Sequence, residues 1–254
     1  MATETPRLIA FGISHYCEKA RWALDWHGIP FNEVGWPPGL HVMLARRLGT
    51  GDTSLPILLA GDAVVQGSGR IIDWAERNGA RDRDSLAPHG DISTAAEIER
   101  RADNVIGVEA RRLLYAEMFP GHADMVKPAL FQNTGPFHRL LGNLMWPKTR
   151  RIIRRIYAAT PDSAAKARAR LEAEFDWLET ELADGRQFLV GDRFSRVDLT
   201  VASLLGFFVR PPQVPAYHNM DLPPTLAEDI ARWRPRPVMH WVGGIYETCR
   251  GPAA

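Results

Sequence analysis

Strand and helix patterns alternate through roughly the first eighty residues of this chain and then strand patterns stop, which confines the fold to an α/β unit followed by a helical one. Residues 7–12 read as a buried strand, and 15–28 as a helix with Ala20, Ala23, Leu24 and His27 near one face. Gly28 closes that helix as a C-cap, and 29–34 reads as a second strand. A helix follows at 39–48, carrying Leu40, Met43, Leu44 and Leu48. Ile57-Leu58-Leu59, a turn at Gly61-Asp62 and Val64-Val65 form a hairpin signal, and a helix runs from Ser68 to Arg77. The order is β-α-β-α-β-β-α.

The polar stretch 79–90 reads as a linker. Beyond it, 92–118, 163–183, 195–209 and 225–248 all read as helical; Leu171, Phe175, Leu178 and Leu182 show the helical spacing in the second of these. The expected fold class is α+β, with one domain over 1–80 and an all-helical domain over 91–254.

Bulk properties exclude several functions. The net charge of +1 provides no global field toward nucleic acid or an anionic membrane. Two cysteines, Cys17 and Cys249, make no disulfide framework and fit a reducing compartment. The start, Met1 to Pro6, lacks the features of a signal peptide, and the apolar stretch Val201–Val209 is too short to span a bilayer. A cytoplasmic protein without stable membrane insertion and without a nucleic-acid partner is the expectation. The eight histidines are scattered and give no metal-ligand spacing, so no metal is expected. No Walker loop or G-x-G-x-x-G occurs.

Chemistry concentrates at helix starts. The strand at Leu8–Phe11 runs into Ser14-His15-Tyr16-Cys17, where a helix begins. A helix N-terminus offers unpaired N–H groups and the positive end of its dipole to an anion, and a hydroxyl and a thiol there suit thiolate chemistry. Ser54-Leu55-Pro56 enters the third strand, and Gln66-Gly67-Ser68 leads into the third helix. Further on, Phe188-Leu189-Val190-Gly191-Asp192 precedes Ser195 and Asp198, an S-x-x-D capping box whose role is in folding and whose loss should cost roughly 1 kcal/mol.

Together these segments resemble the cytosolic glutathione transferase family, a thioredoxin-like domain followed by a helical one, with 118–162 the least matched stretch. The resemblance implies that Ser14 occupies the place of the activating serine or cysteine. Phe11 stands where the tyrosine-type classes place their hydroxyl, and His15 and Tyr16 are neighbouring alternatives to Ser14. It implies a cis peptide before Pro56, with the Leu55 backbone pairing the cysteinyl part of glutathione, and Ser68 binding the γ-glutamyl carboxylate. Gly67 departs from the pattern, because the family has Glu, Asp or Gln there. Gln66 would compensate through a local shift, or Glu99 or Asp103 would reach in from a partner subunit. Cys17 matches the second cysteine of a C-x-x-C pair whose first member is here Ser14, so a dithiol oxidoreductase is excluded.

Arg111, Arg112, Tyr115 and Phe119 are expected to help wall a second-substrate site in the cleft between the domains. Lys148, Arg150, Arg151, Arg154 and Arg155 interleave with isoleucines in a basic amphipathic helix, read as a solvated face. The expected function is a homodimeric, glutathione transferase-like enzyme that activates the thiol of glutathione, its co-substrate, for attack on a small hydrophobic electrophile. Two alternatives stay open: a non-catalytic binding or assembly module of the same fold, and an enzyme using another low-molecular-weight thiol.

Overall fold

The computed structural model describes residues 4–80 and 84–251. It contains β1 (Arg7–Ala10), α1 (His15–Trp26), β2 (Asn32–Gly35), α2 (Leu40–Arg47), β3 (Ile57–Ala60), β4 (Ala63–Gln66) and α3 (Ser68–Asn78), in the expected order. Part of the expected linker, 81–83, and the first three residues lie outside the described residues. The helices that follow are α4 (Ile92–Arg101), α5 (Gly107–Met118), α6 (Ala123–Leu130), α7 (Pro136–Ile156), α8 (Pro161–Glu181), α9 (Arg196–Val209), α10 (Pro215–His218), α11 (Pro224–Trp233) and α12 (Pro237–Cys249).

The chain divides into two compact units, and they are not contiguous: 1–84 with 126–152, and 85–125 with 153–254. The contiguous division expected from sequence assigns 126–152 to the helical part. In the structure this segment groups with the sheet.

In the first unit the strand order is β2-β1-β3-β4, with β1 parallel to β2 and antiparallel to β3. Side chains alternate across a strand, so Ile9 and its partner Ile57 share one face while Leu8 and Leu58 share the other. Ile9 and Ile57 are buried with Ala45 of α2, among Val34, Trp36, Leu44, Leu48, Leu55 and Leu59. Leu8 and Leu58 are fully buried on the opposite face. α1 and α3 pack on one another, and the expected face of α1 is buried in full: Ala20, Ala23, Leu24 and His27.

In the second unit α9 is the central helix, buried at every position from Val197 to Phe208. Its expected capping box is present: Asp198 accepts from the backbone N–H groups of Ser195 and Leu189, at 2.9 and 2.7 Å. Two expectations change in detail. The helix expected over 92–118 is interrupted by a π turn at Ala102–Ile106. Its buried positions Ile98, Ala102, Ile106 and Ala110 recur every four residues, a drift that a wider turn absorbs. The region expected to be helical over 225–248 is two helices, because Pro235 and Pro237 end one and Pro237 opens the next. No helix of the described residues is long and apolar enough to cross a membrane.

Candidate thiol site

Strand register gathers the candidate residues at one end of the sheet. Ile9 lies opposite Ile57, and Ile57 opposite Gln66. The chain therefore leaves β1 toward Ser14 at the same end where it enters β3 through Leu55-Pro56 and leaves β4 through Gly67-Ser68. β1 and β4 flank β3, which sets those exits about 10 Å apart.

Ser14 caps α1. Its Oγ accepts from the N–H of Cys17 at 3.3 Å, and the same hydroxyl reaches the Cys17 thiol. Cys17 is fully buried, and burial pushes its thiol up, outweighing the Arg21 cation and the Ser14 hydroxyl. It is a protonated, inert thiol at neutral pH. Beneath it Arg21 ties the start of the helix to the sheet, donating to the Phe11 carbonyl at 2.9 Å and pairing with Glu33.

The Leu55–Pro56 peptide is cis. Among the described residues the backbone N–H and C=O of Leu55 have no hydrogen-bond partner. Next to it, α3 begins without a side-chain cap, because its N-cap is Gly67, held at φ 93° and ψ 140°. The Gly67 N–H donates to the Pro56 carbonyl at 3.0 Å, which joins the two loops. Ser68 is buried, and its hydroxyl makes no hydrogen bond among the described residues. The open N–H groups of the first turn and this hydroxyl suit a carboxylate. Gln66 serves a different end. Its carboxamide donates to the carbonyls of Asp52 and Ser54, at 2.9 and 3.1 Å, and so braces the loop before Pro56.

Three features of this end escape sequence reasoning. The last turn of α6 and the segment after it close on the strand ends: the N–H of Gly12 donates to the Ala129 carbonyl at 3.1 Å, and that of Gly35 to the Asn133 carbonyl at 3.0 Å. A Cβ on Gly35 would sit 1.9 Å from the Gln132 carbonyl, so only glycine permits this approach. His41 is the second: it meets Phe11 edge-on at 5.0 Å and accepts from the Gly39 N–H at 3.1 Å. Burial holds it neutral, with its pKa brought down to about 4. The third is the mooring of α7, whose Gly142 lies against Pro37 and whose Trp146 meets Phe131 edge-on at 5.8 Å. Gly12 just past β1 and Gly35 at the end of β2 were the only signal of the first feature.

The remaining candidates lie in the helical unit. Tyr115 meets Phe119 and Tyr157 edge-on, with centroids 5.1 and 4.5 Å away, and the Arg111 guanidinium lies 5.4 Å from the Tyr157 ring. Arg112 pairs instead with buried Glu109, which also takes Arg170, and Phe119 is buried. Glu99, an expected source of a γ-glutamyl contact, is engaged by Arg196 at 2.9 Å. Among the described residues no group of three or more His, Cys, Asp or Glu is arranged to hold a metal ion.

Two family models match the chain, the glutathione S-transferase N-terminal domain over residues 8–82 and the glutathione S-transferase C-terminal domain over 161–237. The chain belongs to the glutathione S-transferase family. Its folds are the family's: a thioredoxin-like unit and a helical one. No curated protein matches the sequence. Among solved structures, the β-etherase LigF from Sphingobium sp. strain SYK-6 is 17% identical, with 94% of this chain and 98% of that one covered and a TM-score of 0.60. Glutathione transferase GSTFuA3 from Phanerochaete chrysosporium is 16% identical over 98% and 99% of the two chains, with a TM-score of 0.61. A theta class glutathione S-transferase from Xanthomonas axonopodis pv. citri, solved with glutathione bound, is 17% identical over 98% and 99%, with a TM-score of 0.55. At these identities the likeness is one of fold. The segment 126–152 lies between the two family matches.

Proposed function

We propose that this glutathione S-transferase family protein binds glutathione at the sheet end described above and activates its thiol for attack on a small electrophile. The observation that carries the reading is the alignment of three polar groups along that end: the Ser68 hydroxyl with its open helix N-terminus, the unpaired Leu55 backbone, and the Ser14 hydroxyl at the start of α1. An extended tripeptide spans about 10 Å, the same as the distance across three strands. In this reading the γ-glutamyl carboxylate accepts from Ser68 and the first N–H groups of α3. The cysteinyl N–H and C=O pair with Leu55. The sulfur then lies at α1, where Ser14 donates its O–H to the thiolate.

A free glutathione thiol titrates near 9, and bringing it to neutrality requires about 2.7 kcal/mol of preferential thiolate stabilisation. One hydrogen bond to a charged acceptor supplies about 1.5–3 kcal/mol, and the dipole of α1 adds about 0.3–1 kcal/mol. The thiol proton passes to solvent, the thiolate pair forms the new carbon–sulfur bond, and the leaving group departs with its own bonding pair. Arg111 and Tyr115 are the proposed contacts for the electrophile. A cytoplasmic homodimer completes the reading.

Gly67 favours a second reading. With no side chain at Gly67, and with the Gln66 Oε1 turned to the Asp52 N–H at 3.4 Å while its Nε2 donates to the Asp52 and Ser54 carbonyls, a γ-glutamyl ammonium finds no aimed acceptor in this stretch. A low-molecular-weight thiol without that ammonium would bind through Ser68, Leu55 and Ser14 alone. Calorimetry with glutathione on the wild type and Ser68→Ala separates the two. The first reading expects micromolar to low-millimolar binding, weakened about tenfold by loss of the hydroxyl. Absence of binding in the millimolar range, or equal binding by the variant, overturns it.

A further inference from the structure

We propose that the outer face of α7 docks the protein on an anionic lipid surface. The inner face of this helix is committed to the first unit: Gly142 lies against Pro37, Trp146 is buried beside Phe131, and Thr149 is buried near Gly39. At 100° per residue the opposite face carries Phe137, Leu140 and Leu144, then Lys148, Arg151 and Arg155. The apolar members stand in solvent, with Phe137 71%, Leu140 61% and Leu144 72% exposed. Ile152 and Ile156 flank the basic half and are exposed as well.

Charge names the occupant. From Pro136 to Ile156 the helix holds Arg139, Lys148, Arg150, Arg151, Arg154 and Arg155 and no acidic residue. None of these six takes part in an ion pair among the described residues. The chain as a whole has a net charge of only +1, so this cation density is local to one helix. Cations at a helix C-terminus complement the dipole, but that role needs only those in the last turn and leaves the exposed apolar half unexplained. A second copy of the same face would set cations against cations or against apolar side chains. An anionic bilayer answers both halves: headgroups neutralise the cations, whose long stems snorkel, and the acyl boundary takes Phe137, Leu140 and Leu144. The helix lies on such a surface and does not cross it.

The test is vesicle flotation of the full chain with phosphatidylcholine alone and with about 30% phosphatidylserine added, at low salt and at about 0.5 M NaCl. The variants are a triple Phe137→Ser/Leu140→Ser/Leu144→Ser and a triple Lys148→Gln/Arg151→Gln/Arg155→Gln. All six sites are exposed, and the wild-type lipid and salt dependence stands without the variants. Flotation is expected only with the anionic vesicles and is lost at high salt. It weakens about fivefold per cation removed, hence about a hundredfold in the glutamine variant, and is lost in the serine variant. Equal binding to neutral vesicles, indifference to salt, or unchanged binding by either variant overturns the proposal. So does absence of lipid binding combined with capture by immobilised poly-glutamate, or with dimerisation that the serine variant abolishes.

Discussion

Gly67→Gln restores the residue type that the family places before the helix serine, and it should trade stability for affinity. Gly67 sits at φ 93° and ψ 140°, a region that side-chain-bearing residues rarely enter. A Cβ built there meets nothing within 4 Å, so the substitution adds no clash and its cost is backbone alone. That cost is about 1–3 kcal/mol. The Gly67 N–H to Pro56 and the Gly67 carbonyl to Ile71 are backbone bonds and persist in the variant. In return, an amide placed one residue before Ser68 can accept from the α-ammonium of glutathione, a charge-assisted bond of about 1.5–3 kcal/mol, or about ten- to a hundredfold in affinity. Urea unfolding and calorimetry on the same preparation read both effects. Unchanged stability would refute the strain argument. Lower stability with unchanged glutathione affinity would show that the ammonium is recognised elsewhere or not at all.

Other outcomes follow from the same geometry. Cys17 should resist thiol reagents in the native protein and react only on unfolding, and Cys17→Ala should leave the thiol chemistry intact; rapid native labelling of Cys17 would contradict its burial. Asp198 has its pKa raised by burial to about 6, so its contribution to stability is fully present below pH 4 and is lost as pH rises through 6. The stability of the wild type relative to Asp198→Asn should fall by about 3 kcal/mol across that window; a pH-independent difference would refute the assignment.

Local chemistry made much of the fold legible. Gly28 marked the end of α1, Gly61-Asp62 marked the hairpin, and Ser195 with Asp198 marked the start of α9, because each signal acts within a few residues of the structure it sets. Pro235 and Pro237 carried an equally local signal for the break between α11 and α12. The four-residue spacing through Ile98, Ala102 and Ile106 carried one for the π turn. The packing of 126–152 on the sheet had no such signature. It is made by the backbone of Ala129 and Asn133 reaching Gly12 and Gly35 about a hundred residues away, and backbone bonds leave no side-chain pattern to read. At the candidate site Ser14, Leu55 and Ser68 were named from the family resemblance, and the strand register brings their segments to one end of the sheet. The engagement of Gln66 by Asp52 and Ser54 was not legible, since it depends on how one surface loop folds back on β4.

Ultraviolet difference titration of the glutathione complex tests the claim that Ser14 stabilises a bound thiolate. The wild-type complex should show thiolate absorbance with a midpoint about two pH units below that of free glutathione. In Ser14→Ala the midpoint should return by about one to two units, alongside the roughly 1 kcal/mol stability loss expected of the missing cap. A wild-type midpoint equal to that of free glutathione, or one that Ser14→Ala leaves in place, would contradict the claim.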